Sequence, residues 1–411
     1  MIPLSDLDRR LFRAAHHRID SAPPTYRSRR PPAPCRLLRF RVAAGFLLLA
    51  LAPGSAIDGE PFPEAAPDRS LKAAVEGSRW GEAVRIFSTI RKPAPEDLYL
   101  AGVAHLRLHQ PERAREELLR GKELGFSGWD GWPGAEALLR RIATVEEVLP
   151  PVRPEEGRSA DSAIAVHAGP PTPWSGPVLQ AVPEFAAVGR RIFGTDLPRV
   201  RLVLFAERQP YERFHAAMFG VPVPTAWHDG TGNINIVVFC EKDRQEKQSR
   251  RAGEPETIGN VLHEFGHAWL ASYLMDRHGK EWLDPALRRP WLDEGLADYA
   301  ASLREPTYLE RRKAWIEREK VAKAVAPPSY QTLNGYREFY EEGDVDTHYW
   351  LSALLVAELL GDAKGGPALI PRILDQLARS GDHEATVRSI TGKDPQKEFE
   401  RLTRRLWKSP R

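Results

Sequence analysis

The segment NVLHEFGHAWLASYL, residues 260–274, places two of the chain's twelve histidines one helical turn apart, with a glutamate between them. Its remaining residues are mostly apolar, which predicts a helix buried on nearly every side rather than a solvated polar face. Because residues i and i+4 share a helix face, His263 and His267 converge on one point. Two neutral imidazoles aimed at one point suit a zinc ion, and Glu264 on the adjoining face is then placed to take a proton from a zinc-activated water.

A second segment, which contains three acidic residues, offers a third zinc ligand. RRPWLDEGLADYAA, residues 288–301, predicts another buried helix, with Pro290 in its first turn. Asp293, Glu294 and Asp298 are acidic residues within this hydrophobic helix, where an unpaired carboxylate is costly. If Glu294 binds the zinc, Asp298 lies one turn later and can accept a hydrogen bond from a ligand imidazole.

Together these two segments resemble the gluzincin metallopeptidases, the thermolysin-like clan that binds zinc through two histidines and a glutamate. The chain is most similar to bacterial peptidase MA-like domains, which carry a segment like Trp-Leu-Asp-Glu-Gly-Leu-Ala-Asp-Tyr at 291–299. The resemblance implies zinc ligands at His263, His267 and Glu294. It also implies a general base at Glu264, and Asp298 matches the aspartate that thermolysin-like enzymes place four residues after the glutamate ligand.

The fold implied by this resemblance is α+β, with a thermolysin-like zincin domain over residues 162–411. Such a domain has a small mixed sheet, a zinc-binding helix and a helical C-terminal part. Two features depart from the family. Twenty-six residues separate His267 from Glu294, more than the compact thermolysin spacing, and the sequence lacks the Gly-x-Met-Glu-Asn segment of the related aminopeptidases. The sequence therefore does not support exopeptidase activity.

A donor for the oxyanion is also implied by the resemblance. Related gluzincins supply a tyrosine or histidine from the helical region after the glutamate ligand, and here Tyr349 and His348 are the candidates. We expect Tyr349 to be the catalytic one, although either side chain can instead simply pack at the start of its helix. His228 precedes the zinc helix in a polar segment and is expected to be a loop histidine rather than a fourth ligand.

Residues 57–148 predict an all-α domain that precedes the peptidase domain. RWGEAVRIF (79–87) and QPERAREELL (110–119) each place an alanine four residues before a large apolar residue. With Gly102 ahead of Ala114, this pattern resembles tetratricopeptide repeats. Because two repeats alone bury little surface, we expect these helices to pack on one another or on the catalytic domain. The region is either a peptide- or partner-binding module or a helical spacer.

A proline-rich, charged linker is predicted at 149–161. After it, the pattern predicts a strand, a long helix and a second strand, then the clearest strand of the chain, which is alternating and rich in β-branched residues. In gluzincins this last strand borders the cleft and can pair with extended substrate. These predictions fall at 163–169, 176–193, 199–206 and 233–239, with a further apolar helix at 348–361.

The N-terminal 56 residues differ in charge from the rest of the chain. They contain ten arginines and three aspartates, so the remaining residues carry 49 basic and 53 acidic side chains despite the overall net charge of +3. Nucleic-acid binding therefore gains no support. Arginines followed by the apolar run Val42–Ala52 and by Gly54-Ser55-Ala56 predict a secretory signal peptide cleaved after Ala56, and hence an exported protein. An uncleaved segment anchoring the protein to a membrane is the alternative.

Two functions from different classes fit these features. One is zinc-dependent hydrolysis of peptide bonds in a peptide or protein substrate, with Glu264 as the base. The other is a cell-envelope scaffold whose helical repeats bind a protein partner and whose zincin domain is structural or inactive. The presence of Glu264 distinguishes the two functions and favours hydrolysis, since a structural zinc site closes its fourth position with another ligand and needs no base.

Overall fold

A computed structural model describes residues 70–407, apart from 78, 154–162, 221, 224–229, 241–256, 281–286, 288, 306, 322–323, 342–343 and 362–364. The predicted signal segment and His228 lie outside the described residues. Within that part of the chain, no helix is long and apolar enough to cross a membrane. The fold is α+β, mostly helical with one small mixed sheet.

The first helices form the region predicted to be all-α. They are α1 Leu71–Glu76, α2 Trp80–Thr89, α3 Pro95–Arg107, α4 Pro111–Glu123 and α5 Ala135–Val148. Helices α3 and α4 approach closely at Gly102, where a Cβ would lie 2.6 Å from Cγ of Leu118. The same region packs on the rest of the molecule, because Arg141 of α5 donates hydrogen bonds to backbone carbonyls at Ala217 and Met218.

The next elements in the chain are β1 Ile164–Ala168, α6 Ser175–Phe193, β2 Val200–Phe205, α7 Arg208–Phe219, β3 Gly230–Asn233 and β4 Ile236–Cys240. The predicted strands at 163–169 and 199–206 and the predicted helix at 176–193 are thereby confirmed. The four strands form one sheet in the order β1-β2-β4-β3. Strand β1 pairs with β2 and β2 with β4 in parallel, whereas β3 and β4 are antiparallel. Helix α6 connects β1 to β2, and helix α7 follows β2.

The strand predicted at 233–239 is confirmed from Ile236 onward, but its start was misplaced, because a hairpin turn lies at 234–235. Strand β3 ends at Asn233 and β4 begins at Ile236, with Asn235 between them at a φ of 61°. This left-handed conformation reverses the chain, and asparagine tolerates it better than most residues. Strand β4 is therefore internal, and β3 forms the edge of the sheet next to the predicted zinc helix.

Both faces of the sheet are covered, which explains why all five residues of β4 are buried. Val237 and Phe239 belong to the main core, whereas Ile236, Val238 and Cys240 belong to a smaller core with α7. Alternate strand residues point to opposite faces. The sheet thus lies between two apolar layers, with the long helix after β4 on the main-core side.

Helices make up the rest of the described chain. The two predicted metal-binding segments are helices α8 and α9, and the predicted apolar helix at 348–361 is α13. A π-helical segment, Glu317–Val321, extends α10. The bounds are α8 Thr257–His278, α9 Pro290–Arg304, α10 Thr307–Ile316, α11 Tyr330–Asn334, α12 Tyr336–Glu341, α13 Val345–Gly361, α14 Leu369–Ser380, α15 His383–Thr391 and α16 Pro395–Trp407.

Two glycines let helix α9 pack tightly between α8 and α13. A Cβ at Gly266 of α8 would lie 2.6 Å from Cα of Ala297 in α9. A Cβ at Gly295 of α9 would lie 2.7 Å from the carbonyl oxygen of Ser352 in α13. Real Cβ atoms do not approach backbone this closely, so the absence of a side chain at both positions brings the ligand-bearing helices within reach of each other.

We expect Gly266→Ala to destabilise the protein by about 1–3 kcal/mol, as overpacking of a tight core does. The added methyl meets backbone of α9, which cannot move away like a flexible side chain. Gly361→Ala is the matched control, because a Cβ there meets nothing within 4 Å. Urea unfolding of both variants checks this, and equal free energies of unfolding would contradict the proposed helix contact.

Candidate metal centre

Three ligand atoms from α8 and α9 converge in a triangle. Nε2 of His263 and Nε2 of His267 lie 3.1 Å apart. Oε2 of Glu294 lies 3.2 Å from Nε2 of His267 and 3.4 Å from Nε2 of His263. Atoms bound to a tetrahedral zinc at about 2.0–2.1 Å lie roughly 3.3 Å from one another. The residues present therefore fit a zinc ion held by two imidazoles and one carboxylate.

The outer nitrogen of each histidine is held by an aspartate. Nδ1 of His263 donates to Oδ1 of Asp298 at 2.7 Å, and Nδ1 of His267 donates to Oδ1 of Asp293 at 2.8 Å. A carboxylate can only accept, so Nδ1 carries a hydrogen in both rings, and Nε2 presents its lone pair when the ring is neutral. Both neutral imidazoles therefore have the orientation and the tautomer that a metal ligand requires.

The third ligand is oriented by a tyrosine that the motif does not contain. The hydroxyl of Tyr340, in α12, donates to Oε1 of Glu294 at 2.5 Å. That bond occupies one carboxylate oxygen and leaves Oε2 facing the two histidines. Glu294 is 3% exposed, so without such partners its charge would be costly to bury.

A further layer of polar contacts supports Asp298. The hydroxyl of Tyr308 donates to Oδ1 of Asp298 at 2.6 Å, and Arg312 donates to the oxygen of Tyr308 at 2.9 Å. The guanidinium of Arg312 also lies over the ring of Trp350, 4.8 Å from its centroid. A chain of contacts therefore runs from Arg312 through Tyr308 and Asp298 to His263.

Electrostatics make this cluster a site for cations. Burial alone lowers the pKa of His263 and His267, but the neighbouring carboxylates outweigh it and raise the pKa of both rings. Burial opposes ionisation of Glu294, yet the nearby charge of His267 holds the pKa of that carboxyl well below its usual value. Three buried carboxylates, Asp293, Glu294 and Asp298, therefore favour positive charge at the two histidines.

Glu264 lies beside the triangle but belongs to a different contact. Its Oε2 accepts a hydrogen bond from the backbone N–H of Gly232, in edge strand β3, at 2.7 Å. A Cβ at Gly232 would lie 2.0 Å from the carbonyl oxygen of Glu264, so only glycine lets the strand come this near the helix. Glu264 and His267 are only partly buried, whereas His263 and Glu294 are fully buried. Glu264 and His267 are thus the two of these four residues that solvent reaches.

Tyr349 and His348 occupy different positions relative to the triangle. The ring of Tyr349 lies 6.2 Å from that of His263, centroid to centroid, and packs against Phe339. His348 is buried, and its Nδ1 donates to the carbonyl of Phe339 at 2.8 Å. Burial lowers the pKa of His348, which keeps this ring neutral. Of the two, only Tyr349 has its ring next to a ligand histidine.

Four contacts of the site were not predicted from the sequence. Asp293 was recognised as a buried acid that needs a partner, and that signal could have suggested its bond to His267. Tyr340, Tyr308 and Gly232 belong to no motif, and they reach the site through tertiary packing.

In comparisons with known proteins, no family model matches the chain and no curated protein matches it.

We expect Asp298→Asn to weaken zinc binding by about 10–100-fold, the usual loss when a partner of a ligand histidine is changed. The amide keeps the shape but removes the negative charge that the imidazole and Tyr308 face. Asp293→Asn should do the same through His267. Competition with a chelator measures both affinities, and Asp382→Asn, at the N-terminal cap of α15, is the control. Zinc affinities equal to that of the wild type would rule out this role for the two aspartates.

Proposed function

We propose that the protein is a zinc-dependent peptidase of the gluzincin type. The observation that carries this proposal is the triangle of His263, His267 and Glu294 with a partly exposed glutamate, Glu264, beside it. Three ligand atoms at zinc spacing can hold a cation, and a partly exposed carboxylate next to that cation is the arrangement that general-base hydrolysis needs.

The number of ligands favours a catalytic site over a structural one. In the described part of the chain, the cluster contains three potential ligand residues. Structural zinc sites have four protein ligands, whereas catalytic ones have three and leave a position for water or substrate. The polar surroundings also favour a resident ion, because Asp293, Asp298 and Tyr340 each hold one ligand in place.

In the proposed reaction, Glu264 accepts the proton of the attacking water and later delivers it to the leaving amine. A zinc ion in the triangle would polarise the scissile carbonyl and lower the pKa of the attacking water. The N–H of Gly232 holds Oε2 of Glu264, which leaves the other oxygen for proton transfer. We assign Tyr349 as a hydrogen-bond donor to the oxyanion, since its ring lies beside that of His263.

The test is cleavage of a diverse peptide library by the purified, zinc-loaded protein. Cut sites mapped by mass spectrometry should disappear with a chelator and return when zinc is restored. Glu264→Gln, loaded with zinc in the same way, is the control for a contaminating peptidase. Zinc-loaded protein that cuts nothing would overturn the proposal and favour the scaffold hypothesis.

A further inference from the structure

The turn between β3 and β4 is held by strand β2, where the backbone N–H of Arg201 donates to the carbonyl of Asn235 at 2.8 Å, and from two further sides. On one side, the backbone N–H of Asn235 donates to Oγ of Ser272, in the metal helix α8, at 2.7 Å. On the other side lies the end of helix α3 in the N-terminal helical region. There Nδ1 of His109 donates to the carbonyl of Ile234 at 2.7 Å, and the side chain of Asn235 donates to the carbonyl of Leu108 at 3.4 Å.

His109 has an unusual setting for this contact. Its φ is 54°, a left-handed conformation that few residues other than glycine adopt. The side chain is 7% exposed, and its ring packs edge-on against Phe219 at 5.0 Å. Burial lowers the pKa of His109 to about 4, so the ring is neutral near neutral pH. Such strained conformations persist where the surroundings hold them, and they are frequent near functional sites.

This turn lies two residues from the amide that contacts the proposed base. Ile234 accepts from His109, and Gly232 donates to Oε2 of Glu264. Strand β3 is at the edge of the sheet and pairs with β4. Because so short a strand moves with its turn, the position of Ile234 governs where the N–H of Gly232 points.

We propose that His109 is a positioning residue for Glu264. By fixing the turn, it keeps the N–H of Gly232 on one oxygen of the carboxylate and so sets the orientation of the other. This inference rests on the proposed role of Glu264 as the base. It gives the N-terminal helical region, otherwise a binding module or spacer, a direct part in the geometry of the site.

Two substitutions separate the hydrogen bond from the backbone conformation. His109→Gly keeps the left-handed backbone and removes the donor, because glycine adopts positive φ freely. His109→Asn tolerates the same backbone and carries an amide N–H close to the position of Nδ1. His167→Ala is the matched control, since His167 is also buried and its Nδ1 donates to the carbonyl of Pro150, at the opposite edge of the sheet.

The first readout needs no activity. Hydrogen exchange in the full chain, followed by mass spectrometry of peptides covering 230–235, should be at least about tenfold faster in His109→Gly, as local opening requires less free energy. His109→Asn should stay close to the wild type, and His167→Ala should leave this segment unchanged. Unchanged exchange in His109→Gly would overturn the proposal.

The second readout is kinetic. In His109→Gly, kcat should fall by about 10–100-fold, the scale expected for a misplaced catalytic group, with KM and zinc affinity within about twofold of the wild type. His109→Asn should recover most of the lost kcat. A parallel loss of zinc affinity, or an unchanged kcat, would overturn the positioning role. If the wild type itself cleaves no peptide, the proposed function fails, and the exchange result alone then decides whether His109 holds Gly232 on Glu264.

Discussion

Glu264→Gln is expected to retain zinc and fold but to lose peptide hydrolysis by about 10²–10⁴-fold, as removal of a general base does. The carboxylate is not among the three converging ligands, so the substitution leaves the triangle of ligand atoms intact. The side-chain oxygen of glutamine can still accept from Gly232. The amide, however, cannot take a proton from water. Single-turnover rates on a peptide cleaved by the wild type measure the effect.

The control for this variant is Glu117→Gln, a partly buried glutamate in helix α4, far along the chain from the site. It should hydrolyse the same peptide at the wild-type rate. Zinc content measured by elemental analysis should be equal in all three proteins. If Glu264→Gln cleaves the peptide as fast as the wild type, Glu264 is not the base.

His263→Ala is expected to abolish stoichiometric zinc binding, whereas the wild type should carry about one zinc per chain. Loss of a direct ligand should exceed the roughly 10–100-fold typical of an outer partner. The variant also leaves Asp298 without the imidazole that faces its buried charge. At free zinc about 1,000 times the wild-type dissociation constant, the wild type should gain about 4 kcal/mol in free energy of unfolding. The variant should gain far less.

A histidine of the same helix provides the control for the ligand variant. His278 lies at the end of α8 and its Nε2 bonds to Asp375 at 2.8 Å, away from the triangle. His278→Ala should therefore bind zinc like the wild type even where its stability is lower. Equal and negligible zinc in the wild type and His263→Ala after zinc loading would contradict a metal site at this position.

Helix periodicity made the core of the site predictable from the sequence. The i, i+4 spacing placed His263 and His267 on one helix face, where both rings can bind the same ion, and the apolar residues around them indicated burial. Buried carboxylates in a second apolar helix needed partners, and the resemblance to gluzincins then assigned Glu294 and Asp298 to the histidines. The strand and helix patterns of β1, α6 and β2 were predictable for the same reason, since their periods reflect which faces are buried.

Other contacts depend on packing between distant segments. Tyr340 lies 46 residues from Glu294, and Gly232 lies 32 residues from Glu264. Neither of these sequence separations produces a periodic pattern of residues, because each contact depends on how closely two elements approach and at what angle. The hairpin within 233–239 was missed because the alternation of apolar residues continues across the turn at Asn235.

Residue types and their spacing indicated that the histidines of α8 and the buried acids of α9 need partners, because the cost of buried charge acts locally. The resemblance to gluzincins then singled out Glu294 as the third ligand and Glu264 as the base, and the structure brings His263, His267 and Glu294 together. Tertiary packing was needed to establish which side chains hold those ligands still, which strand lies against Glu264 and how the N-terminal helices reach it through His109. These depend on close approaches at Gly266 and Gly232, where the absence of a side chain lets separate elements touch.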